Sequence, residues 1–162
     1  MRADKGEILD LFRTLLQERR VSLEGALNLA RDGTRLDMQD RPTNRGERAA
    51  VTTQGYLADG IATRLHEIRT ALEILERVDL GPREVACAGA LVYLKEVERD
   101  KGTWILLLPG GAGERIDTET DTVTILSPLS PLGRELKGCG PGDTVTVLRE
   151  GRETLLEVEE VG

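Results

Sequence analysis

Two different spacings of apolar residues divide this chain. Up to about residue 79, apolar positions recur every three or four residues, which is the period of a helix with one buried stripe. The first stripe contains Leu9, Phe12, Leu16, Leu23, Ala26 and Ala30. The second contains Ile61, Leu65, Ile68, Leu72 and Leu75. Because Gly33, Pro42 and Gly46 interrupt the helical pattern between the stripes, this half is predicted to form an antiparallel α-helical coiled-coil hairpin.

From about Val85 the apolar period shortens to two, which is typical of half-buried strands. The alternating runs predict five strands, over residues 85–97, 103–108, 122–126, 143–148 and 154–161, with a short helix near residues 132–137. We therefore predict an α+β protein, with a coiled-coil hairpin over residues 1–79 and a small β-rich domain over residues 80–162. Residues 79–84 are expected to form a hinge, and the glycine-rich residues 109–113 the turn of a β-hairpin.

Charge is distributed unevenly along the 162 residues, whose net charge is −7. Residues 1–80 carry 13 basic and 14 acidic side chains, whereas residues 81–162 carry 9 basic and 15 acidic ones. An acidic second half argues against a general nucleic-acid binder and fits docking onto a basic protein surface. Aromatic residues make up only 2% of the chain, which argues against a base-stacking surface.

Cysteine usage and hydropathy bear on the compartment. Cys87 and Cys139 are too far apart in sequence to form a metal knuckle, and we expect both to be small, buried or half-buried residues. No apolar stretch is long enough to span a membrane, and the first 20 residues lack the apolar block of a signal peptide. A bacterial-type cytoplasmic location is expected.

The stretch from Ser127 to Asp143 carries the most specific signal in the chain. Ser130 is a candidate helix N-cap, and Pro131 suits the first helical position. Gly138 and Gly140 can end that helix, and residues 141–143 form a tight turn before a strand. From Ser130 the sequence follows Ser-Pro-Leu-Gly-Arg-x-Leu-x-Gly-x-x-x-Gly-Asp-x-Val-x-Val. This pattern resembles the C-terminal domain of the Gre family (GreA/GreB-like), the transcript-cleavage and elongation factors of bacterial RNA polymerase.

The resemblance extends to the order of hairpin, hinge and β-rich domain, and it implies a function. In that family an FKBP-like C-terminal domain docks at the rim of the polymerase secondary channel, and the coiled coil enters the channel. The expected partner is bacterial RNA polymerase, with indirect action on the nascent RNA 3′ end, no membrane, and a monomeric factor. The docking residues implied by the motif are Ser130, Pro131, Leu132, Gly142 and Asp143.

The family carries an Asp-x-x-Glu pair at the hairpin tip, and the best-spaced match here is Asp37 with Asp40. Two carboxylates delivered to the polymerase active site can complete the shell of a second Mg²⁺ and orient an attacking water. The resemblance thus implies that Asp37 and Asp40 are the catalytic and metal-binding residues, sharing Mg²⁺ with the polymerase. The factor itself is then not an enzyme, because it stimulates the polymerase's own hydrolysis. Arg41 and Arg45, in the same turn, are candidates for RNA contact.

Other readings of these residues stay open. Asp37 and Asp40 can instead cap helix ends in a solvated polar turn. The tip also departs from the family pattern, because Asp40 stands where the family has Glu and residues 41–44 differ from the usual Asn-Ala-Glu-Tyr. A non-cleaving inhibitor or modulator of RNA polymerase is therefore the alternative function. A third reading is a coiled-coil interaction module with no link to polymerase.

Overall fold

The sequence folds into an α+β structure with a helical N-terminal region and a C-terminal sheet, as predicted. A computed structural model describes residues 4–39, 45–99, 101–149 and 151–162, without the side chains of residues 34–39, 47 and 149. Its helices are α1 (Lys5–Gln39), α2 (Arg45–Leu75) and α3 (Pro131–Leu136). Its strands are β1 (Leu91–Glu96), β2 (Lys101–Leu107), β3 (Ala112–Asp117), β4 (Thr122–Leu126), β5 (Thr144–Arg149) and β6 (Arg152–Val161).

The chain divides into two compact units. One contains residues 1–13 together with residues 73–162, and the other contains residues 14–72. The first unit therefore includes the start of α1, the end of α2 and the whole sheet. The domain boundary predicted between residues 79 and 80 stays a prediction.

In the unit of residues 14–72, α1 and α2 run antiparallel. Arg69 of α2 pairs with Glu24 of α1 at 2.8 Å between Nη2 and Oε1. Farther along α1, a Cβ on Gly33 would lie 3.9 Å from Oε1 of Gln54, which precedes Arg69 in α2. Residue numbers at these two contacts rise along α1 and fall along α2, which confirms the prediction that the two helices run antiparallel. Knobs-into-holes packing between them stays a prediction.

The buried side chains described in this unit agree only in part with the predicted stripes. They are Leu16 and Leu27 of α1 and Leu65, Ile68 and Ala71 of α2. Leu16, Leu65 and Ile68 belong to the predicted stripes, whereas Leu27 and Ala71 are buried outside them. The predicted stripe residues Leu23, Ala26, Ala30, Ile61 and Leu72 are only half-buried. Beyond Leu27 and before Leu65, none of the described side chains is fully buried, so the apolar packing of this unit is concentrated away from the hairpin turn.

The sheet has six strands in the order β3-β4-β2-β1-β6-β5. Strands β2 and β4 are parallel, and every other neighbouring pair is antiparallel. Helix α3 belongs to one face, where Leu136 joins a buried core with Val92, Leu94, Ile105 and Val158. In the same unit, Ile8, Phe12 and Leu75 of the long helices are fully buried.

Three sequence predictions about strands need correction. The first strand begins at Leu91 rather than Val85, because a turn closed by Ala90 N to Cys87 O, with Gly89 at φ +83°, precedes it. The described residues form six strands rather than the five predicted, since the sequence prediction did not include β3. Residues 109–113 do not close a β-hairpin, because β3 pairs with β4 and not with the preceding β2.

Candidate functional site

The segment Ser127–Asp143 begins with a well-formed helix cap. Ser130 has an extended backbone (φ −64°, ψ 159°), and its Oγ accepts a hydrogen bond from Gly133 N at 3.0 Å. Pro131 is the first helical residue, where its missing N–H is not needed. Both sequence predictions for the start of α3 are confirmed.

Gly133 is fixed by a close approach of two backbone segments. A Cβ at this position would lie 2.2 Å from Ser127 O and 2.9 Å from Pro128 Cα. No residue larger than glycine fits without moving the loop that leads into α3. The glycine of the motif is therefore required by packing rather than by its own dihedral angles, because it lies within a regular helix.

The end of α3 and the following turn are fixed by glycine and aspartate. Gly138 has φ +82° and its N–H donates to Ala86 O at 2.9 Å, which ends the helix. Gly142, at φ +92°, suits the third position of a tight turn in which Asp143 N donates to Gly140 O at 3.1 Å. The Asp143 carboxylate closes the same turn by accepting from Gly140 N at 2.8 Å.

A groove of about 740 Å³ lies between the α3 segment and the edge strand β5. Its lining is mostly apolar, with polar groups from Arg134, Glu135 and Thr146. Leu129 and Leu148 line it with 73% and 74% of their surface exposed. Pro131 and Leu132 also line this groove, whereas Gly142 and Asp143 do not. The structure therefore separates the five predicted docking residues into two at an exposed apolar surface and three that hold the loop and the turn in shape.

Sequence reasoning missed Leu129 and Leu148 as surface residues. The available signal for Leu148 is the alternation of β5, where Val145 and Val147 face inward and Thr144, Thr146 and Leu148 face outward. An apolar residue on the outward side of an edge strand is the informative exception to that alternation. Leu129 carries no comparable signal, because it lies in an irregular turn before α3.

The predicted tip residues fall mostly outside the described structure. Asp40 and Arg41 lie outside the described residues, as does the side chain of Asp37, although α1 extends through residue 37 to Gln39. Arg45, at the start of α2, is exposed. Among the described residues, no group of three or more His, Cys, Asp and Glu side chains is placed to hold a metal ion.

Two titratable groups of the sheet unit have shifted pKa values. The pKa of Asp79 is lowered chiefly by the hydrogen bond that its carboxylate accepts from Gly81 N at 2.8 Å. The ion pair with Arg83 at 2.7 Å lowers it further. Burial raises the pKa of the Cys139 thiol, and the carboxylates of Asp143 and Glu135 add to this effect. Cys87 and Cys139 are both half-buried, as expected from the sequence.

Over the described ranges, no helix is both long enough and apolar enough to cross a membrane. No protein-family model and no curated protein matches this sequence.

The solved structures to which this chain is similar include transcription elongation factors of the GreA/GreB type and their homologues. The prokaryotic transcription elongation factor GreA/GreB from Nitrosomonas europaea is 21% identical over 50% of this chain and 63% of its own, with a TM-score of 0.37. GreA factor homolog 1 (Gfh1) of Thermus thermophilus is 17% identical over 93% of this chain and 94% of its own, with a TM-score of 0.40. Gfh1 of Thermus aquaticus is 16% identical over 91% of this chain and 92% of its own, with a TM-score of 0.39. Such low scores do not establish a common fold.

Proposed function

We propose that this protein binds bacterial RNA polymerase at its secondary channel and stimulates cleavage of backtracked nascent RNA. The observation that carries the proposal is the Ser127–Asp143 segment. Its sequence resembles the Gre motif, and here it forms a capped helix and a tight turn beside an exposed apolar groove. An antiparallel helical hairpin in the same chain supplies the element that would enter the channel.

In this proposal the sheet unit, FKBP-like in the family, docks through the groove lined by Leu129, Pro131 and Leu148. Asp37 and Asp40 at the turn of the hairpin lend carboxylate oxygens to a second Mg²⁺ in the polymerase active site. Arg41 and Arg45 contact the RNA backbone there. The chain alone does not hydrolyse RNA, because the first metal and the substrate both belong to the polymerase.

Binding tests the docking part of the proposal. Leu129→Asp and Leu148→Asp each replace an exposed apolar side chain, so the fold should tolerate them. If each leucine is buried at the interface, each change should weaken binding of labelled protein to core polymerase by about tenfold, which corresponds to about 1.4 kcal/mol. Val97→Asp, at a 48% exposed position outside the groove, is the matched control and should bind as wild type. Equal affinity of all three variants would contradict docking through this groove.

Cleavage tests the tip. Halted, backtracked elongation complexes with Mg²⁺ should yield shortened RNA when the wild-type protein is added. The double change Asp37→Ala and Asp40→Ala should abolish this cleavage and leave the affinity for polymerase unchanged. Intact 3′ RNA ends in the presence of bound wild-type protein would refute cleavage while leaving docking in place.

A specific sequence observation favours a second candidate function, a non-cleaving modulator of polymerase. Asp40 is one methylene shorter than the family's Glu, and metal ligation tolerates errors of only about 0.2 Å. Under this candidate, the protein would compete with a cleavage-active factor for polymerase without shortening the RNA. Restoring the family residue with Asp40→Glu should then confer cleavage.

A further inference from the structure

A second cavity of about 430 Å³ lies on the α3 face of the sheet, apart from the docking groove. Its floor is aliphatic and mostly buried, and it draws on four different strands and on α3. The floor residues are Leu94, Ile105, Leu126, Leu132 and Leu156. Of these, only Leu132 also lines the docking groove. The volume lies within the range of small-ligand sites, which is about 300–1,000 Å³.

The rim of this cavity is cationic although the surrounding sequence is acidic. Among the described residues, Arg99, Lys101 and Arg115 line it, together with one acidic residue, Glu96. Residues 81–162 contain 9 basic and 15 acidic side chains, so one third of the basic residues gather at this one place. Glu96 is paired with Arg99 at 3.4 Å. Lys101 and Arg115 are both exposed at the rim.

Strand alternation accounts for this arrangement. Lys101, Thr103 and Ile105 alternate along β2, and Arg115 of β3 is in register with Thr124 of β4, so their side chains share one face. The rings of Tyr93 and Trp104 pack against each other at a tilt of 52°, with centroids 4.8 Å apart, and do not line the cavity. The lining is thus aliphatic below and charged above, with hydroxyl groups from two threonines between.

We infer that this cavity is a binding site for a small amphipathic organic anion. The apolar body of the ligand packs on the leucine floor, and its carboxylate, sulfonate or phosphate group meets Lys101 and Arg115 at the rim. An uncharged apolar ligand would leave the cations without a counter-charge. An inorganic anion would leave the apolar floor uncovered. The inference does not rest on the proposed polymerase function, because it is drawn only from the residues that line this cavity.

The test uses the full chain and the fluorescent aromatic sulfonate 8-anilinonaphthalene-1-sulfonate as the probe. Its fluorescence should rise in a saturable titration with one site per chain. Lys101→Glu and Arg115→Glu should each weaken binding about fivefold, since each replaces an attraction by a repulsion at an exposed site. Arg152→Glu changes the net charge equally at an exposed strand end outside the cavity, and it should change the affinity by less than twofold. The uncharged analogue N-phenyl-1-naphthylamine should bind more weakly and respond to none of these changes.

Backbone amide chemical shifts locate the probe. Binding should perturb Thr103, Gly113 and Thr124, which line the cavity, and leave Leu129 and Leu148 of the docking groove unchanged. Shifts confined to Leu129 and Leu148 would overturn the inference, as would affinities that are equal in Lys101→Glu, Arg115→Glu and Arg152→Glu. Loss of polymerase binding in the Leu129→Asp variant with probe binding intact would separate this site from the docking groove.

Discussion

Replacement of Gly133 by alanine should destabilise the sheet unit even though the residue lies within a helix. The added Cβ would lie 2.2 Å from Ser127 O, whereas close C···O contacts in proteins are about 3.3 Å or longer, so the backbones must separate by about 1 Å. The loop cannot yield freely, because Ser127 N donates to Gly111 O at 3.1 Å. Overpacking of this kind costs about 1–3 kcal/mol, and helix propensity returns about 1 kcal/mol. We expect a net loss of about 1 kcal/mol.

Urea unfolding measures this effect, with the fluorescence of the single tryptophan, Trp104, reporting on the sheet unit. Gly60→Ala is the matched control, because Gly60 is also helical but an added Cβ would meet nothing within 4 Å. Followed by circular dichroism, it should gain about 1 kcal/mol from helix propensity alone. If Gly133→Ala stabilises the protein as Gly60→Ala does, the close approach at Ser127 is not a packing constraint and the reasoning fails.

Three further predictions concern the sheet unit. Ser130→Ala removes the N-cap hydrogen bond and should lower the free energy of unfolding by about 1 kcal/mol in urea titrations, whereas Ser130→Asp should restore it. The hydrogen bond from Gly81 N and the pairing with Arg83 lower the pKa of Asp79, so its stabilising contribution is present above its ordinary pKa and is lost as the pH falls through the lowered value. The melting temperature of Asp79→Asn should therefore fall less than that of wild type between pH 7 and pH 3, and an equal fall would contradict this. Burial raises the pKa of Cys139, so iodoacetamide at pH 8 should alkylate the Cys139 thiol more slowly than it alkylates the thiol of free glutathione, as followed by mass spectrometry. Equal rates for the two thiols would show an accessible thiolate at Cys139.

Local signals in the sequence predicted the helices and the α3 segment, because their causes lie within a few residues. The stripe with Leu65 and Ile68 reflects burial on one helix face. The Ser130 cap needs only a hydrogen bond from Gly133 N, three residues farther along the chain. Strand β3 could not be found in this way. Only Ile116 of its six residues is buried, so the strand shows no apolar alternation, and its pairing with β4 is a property of the sheet.

The surfaces that matter for binding depend on residues far apart in sequence. The docking groove joins Leu129 to Leu148 across the whole α3 segment. The cationic rim brings Lys101 of β2 and Arg115 of β3 to one cavity, across the intervening strand β4. The parallel pairing of β2 with β4 creates that neighbourhood, and no period in the sequence encodes it.

The motif residues and the proposed docking residues can be separated by experiment because they act differently. Ser130 and Asp143 of the motif make hydrogen bonds within the loop and the turn, and Gly133 permits a close backbone approach. Leu129 precedes the motif and Leu148 follows its last valine, yet these two present the exposed apolar surface. Changes at Ser130, Gly133 or Asp143 should therefore reduce stability and polymerase binding together, because they distort the groove. Changes at Leu129 or Leu148 should reduce binding alone, since no other part of the fold depends on an exposed side chain.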